Sequence, residues 1–534
     1  MIGPATLREA RMLGMAAALA LLLPFGARPQ AGAAFQIAGQ VVNAVTGDPV
    51  PRATVSALSV DDNRVVATVI ADAEGKFSFS GLPAGKYPLT ASRRGFRTAL
   101  YDEHEETFNT AIVTGPDQNT QHLIFSLAPG AVIFGTVTAD GGDPVQNANV
   151  VLFRGNPAAP ARNPTQMQNV TTDDIGEYEF SDLPAGEYFI AVGAQPWYAT
   201  HSPADTADAA ENSLDVAYPI TFYDSTTDEG AASPIEVASG DRAQANVALH
   251  AVPALHIKLV GLGPHNGSPM PVSNLRQSVF GADFPAQAEV QGVADSIEFV
   301  GLAPGHYQLE TTNPPRTMDL DASSSMDVDP ASGTPSQPVD GTLRMTGGSP
   351  PGDVMLTLVQ PNSAGLSTDA RNGQFHFAAV PPGAWTLSAA NARGSLYVAA
   401  VSSSSGPVAG SQITVRDRPV SLAVTLTPSQ ASITGFARMA GKPAPGAMIV
   451  LVPRDPAAWP ALARRDQSDS DGSFSLPNVP PGSYTVVAIA DGWKLDWQDP
   501  SVMARYLPGG ESVTIGTQPG GVVPLSRPVE AASP

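Results

Sequence analysis

Apolar and polar positions alternate in short runs along most of the chain, and the runs stop at Gly, Pro, Asn and Asp. In Phe77-Ser78-Phe79 both rings fall on one face of a strand, Leu82-Pro83-Ala84-Gly85 forces a turn, and Tyr87-Pro88-Leu89 resumes the alternation. This unit reads as strand, tight turn, strand. It returns as Gly176, Tyr178, Phe180, Leu183, Gly186 and Tyr188, then as Asp295, Ile297, Phe299, Leu302, Gly305 and Tyr307. Gly373, Phe375, Phe377, Val380, Gly383 and Trp385 form a fourth copy, and Gly472, Phe474, Leu476, Val479, Gly482 and Tyr484 a fifth. The copies recur about every 100 residues, the mark of an array of similar domains.

A further strand pair precedes each clear copy. Ile37, Gly39 and Val41 alternate before Thr46-Gly47-Asp48-Pro49, and Ala53, Val55 and Ala57 alternate after it; Ile133 to Leu152 and Ile433 to Leu451 repeat the arrangement. Roughly seven short strands per domain, with turn signals every ~8–12 residues, predict an all-β chain of five small antiparallel sandwiches. Runs such as Phe125-Ser126-Leu127, Val247-Ala248-Leu249 and Val424-Thr425-Leu426 close the domains. They set the expected limits at 34–129, 130–251, 252–337, 338–429 and 430–526, with 527–534 a disordered tail. The stretch Met318 to Pro338, rich in Asp, Ser and Pro, reads as a linker or solvated loop.

Arg8 and Arg11 ahead of the apolar run Met12 to Phe25, followed by Ala31-Gly32-Ala33, read as a secretory signal peptide over residues 1–33. The expected destination is periplasmic, extracellular or cell-surface, with no transmembrane segment after cleavage. The chain has no cysteine, which removes disulfides, thiolate metal sites and thiol nucleophiles. Only 15% of its 534 residues are charged, and the net charge of −21 opposes nucleic acid and anionic lipid.

These residues resemble the carboxypeptidase regulatory-like family, also called transthyretin-like or prealbumin-like. Gly39 to Val55 and Asp72 to Tyr87 carry both halves of its pattern; the second and fifth copies are nearly as good, while the third and fourth keep mainly the second half. The resemblance implies a noncatalytic sandwich related to carbohydrate-binding folds, found beside peptidase domains, at the front of outer-membrane receptors, or in secreted arrays.

The chemistry agrees with a noncatalytic reading. None of the eight histidines has a glutamate three residues later, as a metallocarboxypeptidase zinc site requires, and no Gly-x-Ser-x-Gly elbow is present. His104-Glu105-Glu106, like the acidic cluster Asp102 to Glu106, reads as a solvated loop, and no metal or other cofactor is expected. Asp72, Asp173, Asp174 and Asp471 are expected to bond turn amides ahead of the Phe-x-Phe strand. Sugar rings pack on flat aromatic faces, so Trp197, Tyr198, Trp459, Trp493 and Trp497 are the candidate ligand platforms. The alternative for these rings is that they plug the open ends of the cores. The leading expectation is an envelope binding or spacer protein with a glycan ligand. Its rivals are a stalk or protein-docking array, and an accessory subunit of an envelope peptidase or transporter.

Overall fold

A computed structural model describes residues 34–156, 163–201, 213–261, 273–293, 296–312, 314–346, 352–360, 365–391, 394–408, 410–427, 431–456, 459–516 and 521–534. Residues 1–33, expected from the sequence to be a signal peptide, lie outside them.

The chain is all-β, built from tandem two-sheet sandwiches. In the first, the opening strand Phe35–Asn43 is central in its sheet, with Lys76–Leu82 antiparallel on one side and Leu123–Leu127 parallel on the other. The same trio appears as Ala131–Thr138 with Glu177–Leu183 and Arg242–Gln244, and as Leu255–Leu259 with Ser296–Leu302 and Met326–Val328. It returns as Gln337–Met345 with Gln374–Val380 and Val420–Thr427, and as Ala431–Met439 with Ser473–Val479 and Val522–Pro524. The sandwiches are therefore not purely antiparallel, as alternation alone predicted. A parallel partner requires a crossover, and here the chain crosses through the second sheet before closing.

That second sheet places Thr54–Leu58 between an outer strand, Val65–Ile70, and Leu89–Arg93. Its counterparts centre on Asn149–Arg154, Ser273–Val279, Val354–Val359 and Met448–Pro453. Phe77, Phe79, Phe180, Phe299, Phe377 and Phe474 point between the sheets and are buried, each contributing roughly 1.5–3 kcal/mol. All five opening strands also carry a register shift at the same place, two residues into the pairing with the Phe-x-Phe strand or its counterpart.

Two motif positions acquire a physical reason. A Cβ on Gly39 would strike the Leu123 carbonyl, and one on Gly135 the Ala245 carbonyl, because the parallel closing strand presses against the opening strand there. The aromatic that ends each unit bonds the carbonyl four residues before it. Tyr87 donates to Pro83 at 3.1 Å, Tyr188 to Pro184 at 2.7 Å, Tyr307 to Ala303 at 2.6 Å and Tyr484 to Pro480 at 2.9 Å; the Trp385 indole does the same to Pro381 at 3.0 Å.

Met318 to Pro338 is not a loop: Pro315–Ala322 forms a strand whose Leu320 and Ala322 are buried while Asp319 and Asp321 face out, so the acidic residues are one face of a strand. The chain end is not disordered either. Val529–Ala532 pairs in parallel with both Ala431–Met439 and Gly482–Ile489, joining the two sheets of the fifth sandwich and burying Val529 and Ala531.

Candidate functional site: the junction of the first, second and fifth domains

The turn before the Phe-x-Phe strand follows one rule in the first two domains. Asp72 Oδ1 accepts from the amides of Glu74 at 3.0 Å and Lys76 at 2.7 Å, and Asp173 Oδ1 from Ile175 at 3.1 Å and Glu177 at 2.8 Å. Asp174 makes no such bond. In the fifth domain the equivalent aspartate, Asp469, turns away from this role. Its Oδ2 takes the Lys86 ammonium of the first domain at 2.5 Å and its Oδ1 the Ala111 amide at 3.1 Å. Asp471 serves the turn instead, accepting from the Ser473 amide at 2.9 Å.

The contact continues along the backbone. Ser470 donates its amide to Ala111 at 3.0 Å, and its hydroxyl accepts from the Val113 amide at 2.8 Å. Gln467, almost fully buried, donates to the Asp102 carbonyl at 2.7 Å and to the Thr110 hydroxyl at 2.8 Å. Its Oε1 lies 3.0 Å from His104 Nδ1, which also faces the Asp102 carbonyl at 3.1 Å. Both partners are acceptors, so Nδ1 carries the proton.

At the centre stands Arg465, its side chain only 8% exposed. It grips Glu105 with both terminal nitrogens, at 2.7 and 2.5 Å. Its guanidinium lies 4.2 Å from the Trp497 ring centre, 4.8 Å from Phe108 and 5.7 Å from Trp493. Aromatic faces attract such a cation by roughly 0.5–2 kcal/mol each. Trp493 in turn stacks on His104 at 4.6 Å and donates its indole proton to the Gly446 carbonyl at 3.1 Å. The neighbouring Glu106 pairs with Arg154 of the second domain at 2.5 Å.

The acidic run Asp102 to Glu106 is therefore no solvated loop; it is where three domains meet. No local pattern marks it, because its partners Arg154 and Arg465 lie far along the chain. Electrostatics follow the burial. Desolvation raises the Asp469 carboxyl against the opposing pull of Lys86, and pushes the partly buried Asp466 up to about 6.

The five candidate platform residues separate. Trp459 is buried at 4% exposure beside Met503 and Tyr506, its indole nitrogen makes no hydrogen bond among the described residues, and it offers no ring face. Trp493 and Trp497 are half-buried and hold Arg465. Only Trp197, 82% exposed and edge-on to Tyr198 at 5.8 Å, presents an open ring.

A second junction joins the second and third domains. Phe153, Phe189 and Phe222 pack on Phe280, and a buried chain runs from His201 to Asp215 at 2.7 Å, on to His256 at 2.8 Å, and to Glu298 at 3.1 Å. The acids and histidines form a line rather than a convergent cage. Among the described residues no cluster of three or more His, Asp or Glu has a metal-holding arrangement, and no helix is long and apolar enough to cross a membrane.

The family model for the carboxypeptidase regulatory-like domain matches residues 36–126 and 132–250, so the first two domains carry this family's signature. Colossin-A from Dictyostelium discoideum is 27% identical over 150 residues, 24% of this chain; the match spans about 1% of that protein. Among solved structures, the Bacillus anthracis TIE protein covers 92% of this chain and 74% of its own at 11% identity and a TM-score of 0.18. A streptococcal ancillary pilin covers 56% of this chain and 98% of its own at 11% identity and a TM-score of 0.20.

Proposed function

We propose that this chain is a noncatalytic, exported scaffold protein of the cell envelope or its surroundings, whose domains are clasped into a closed arrangement. The observation that carries the reading is the Arg465 box: aromatic rings suited to an outside ligand are filled by the chain's own guanidinium, and Glu105 closes the contact. A linear stalk would leave the first and fifth domains apart, so this geometry argues against the stalk form of the structural reading. Export rests on the N-terminal pattern of Arg8, Arg11 and the apolar run, and the cysteine-free composition accords with it.

Small-angle scattering on residues 34–534 tests the clasp. The radius of gyration should rise when Lys86 and Arg465 are both changed to Ala; an unchanged radius would count against closure. A glycan-binding reading survives at one place, because Trp197 alone among the candidate tryptophans keeps an open face. Saturable polysaccharide binding abolished by Trp197→Ala would favour it.

A further inference from the structure

We infer that Lys86 and Asp469 condense into an amide that joins the first and fifth domains covalently; the inference rests on the closed arrangement proposed above. Lys86 lies in the short strand Gly85–Tyr87, which pairs with Ile112–Thr114, and Asp469 stands at the turn before Ser473–Val479. The Lys86 ammonium donates to Asp469 Oδ2 at 2.5 Å, and the acid's side chain is only 13% exposed. That contact places the amine nitrogen roughly 3–3.5 Å from the carboxyl carbon, the separation of a near-attack pair.

The groups around the acid suit this chemistry. Oδ1 accepts the Ala111 amide at 3.1 Å, so a donor already faces the oxygen on which negative charge would gather. Oδ2 also meets the Ser473 hydroxyl at 3.3 Å, and that hydroxyl bonds Asp471 on its other side. Asp469 is spared for this role because Asp471 serves the turn amide in its place. Burial raises the Asp469 carboxyl against the pull of Lys86 and Ala111, and Asp471 adds to the rise, which favours the neutral acid that condensation needs.

The step needs no co-reactant. One ammonium proton passes to Oδ2, leaving a neutral amine against a neutral acid. The nitrogen lone pair then attacks Cγ, and the charge on Oδ1 is received by the Ala111 amide. A second proton moves from nitrogen to Oδ2 through Ser473, the Cγ–Oδ2 bond breaks, and water departs; the third hydrogen stays on the amide nitrogen. The freshly folded chain holds the ion pair, and the amide follows as a slower first-order step. It removes two partly desolvated charges from the junction.

Mass spectrometry of residues 34–534 after prolonged incubation tests the bond. The chain should become lighter by one water, and trypsin should release a branched peptide joining Lys86 to Asp469 instead of cutting after Lys86. Lys86→Arg keeps a cation but has no amine that can condense in this way, so it should give no branched peptide while its scattering stays compact. Ser473→Ala should slow formation roughly a hundredfold. Full mass and free cleavage at Lys86 in a compact chain would overturn the inference and leave the closed arrangement standing. The same result in an expanded chain would overturn both.

Discussion

Trp493 lies flat against His104, ring centres 4.6 Å apart and planes 13° from parallel, although 389 positions separate them in the chain (493 minus 104). The stack seals one side of the Arg465 box. It turns a tryptophan in an acidic loop, by its sequence a ligand platform, into part of a joint between domains.

Removing the cation should open that joint. Arg465→Ala loses a bidentate carboxylate contact and three ring faces; because Glu105 is 41% exposed, the electrostatic part is discounted and the loss is put at roughly 2 kcal/mol of docking. Arg465→Lys should recover little of it, since a point charge cannot reproduce the fork or the stacking. Hydrogen exchange at Val113 and Ser470 would report the opening, with both amides losing protection while the core strands keep theirs.

The paired aspartates of the fifth domain should divide their labour. Asp471→Ala removes the bond to the Ser473 amide and should lower the fifth domain's own stability by about 1 kcal/mol. Asp469→Ala removes the acceptor for Lys86 and Ala111 and should weaken docking more than it weakens the fold. Thermal denaturation beside small-angle scattering separates the two effects.

Tyr188 offers a test inside a single sandwich. Its hydroxyl is buried and bonds Pro184 at 2.7 Å, so Tyr188→Phe leaves a buried carbonyl unpaired and should cost about 1–2 kcal/mol. Chemical denaturation should show a lower midpoint with unchanged slope.

Acidity should help the fifth domain rather than harm it at one position. Burial holds Asp466 at about 6, above its ordinary value, so the proton is bound more tightly when folded. The stability from that proton is complete below the unfolded value near 4 and is lost as pH rises through about 6. Asp466→Asn, which keeps an acceptor for the Ser475 amide at 2.7 Å, should therefore stabilise at pH 7.5 by roughly 1–2 kcal/mol and make no difference at pH 3. Equal effects at both pH values would contradict this.

Much of the fold was legible because it is written locally. Phe77-Ser78-Phe79 and Leu82 to Tyr87 specify two strands and their turn within eleven residues, and the repeat multiplies that signal five times. The strand pairing with Leu123–Leu127 was not legible, since parallel partners meet only after a crossover, although Gly39 marks their close approach. Val529–Ala532 looked like a tail because four residues are too short to show a period. The junction escaped for a related reason: Glu105 and Arg465 are ordinary surface residues in their own domains, and only docking gives them a partner. One trace was visible in the doubled aspartate of Asp469-Ser470-Asp471-Gly472, where the second acid frees the first.

The closure of the fifth domain on the first is tested most directly by a disulfide between Ala111→Cys and Ser470→Cys, in a chain that otherwise has no cysteine. The backbones of these residues already meet at 3.0 Å. Oxidation should be rapid and intramolecular and leave the monomer's scattering profile unchanged. Two free thiols after oxidation, or a disulfide that forms only between separate molecules, would contradict it.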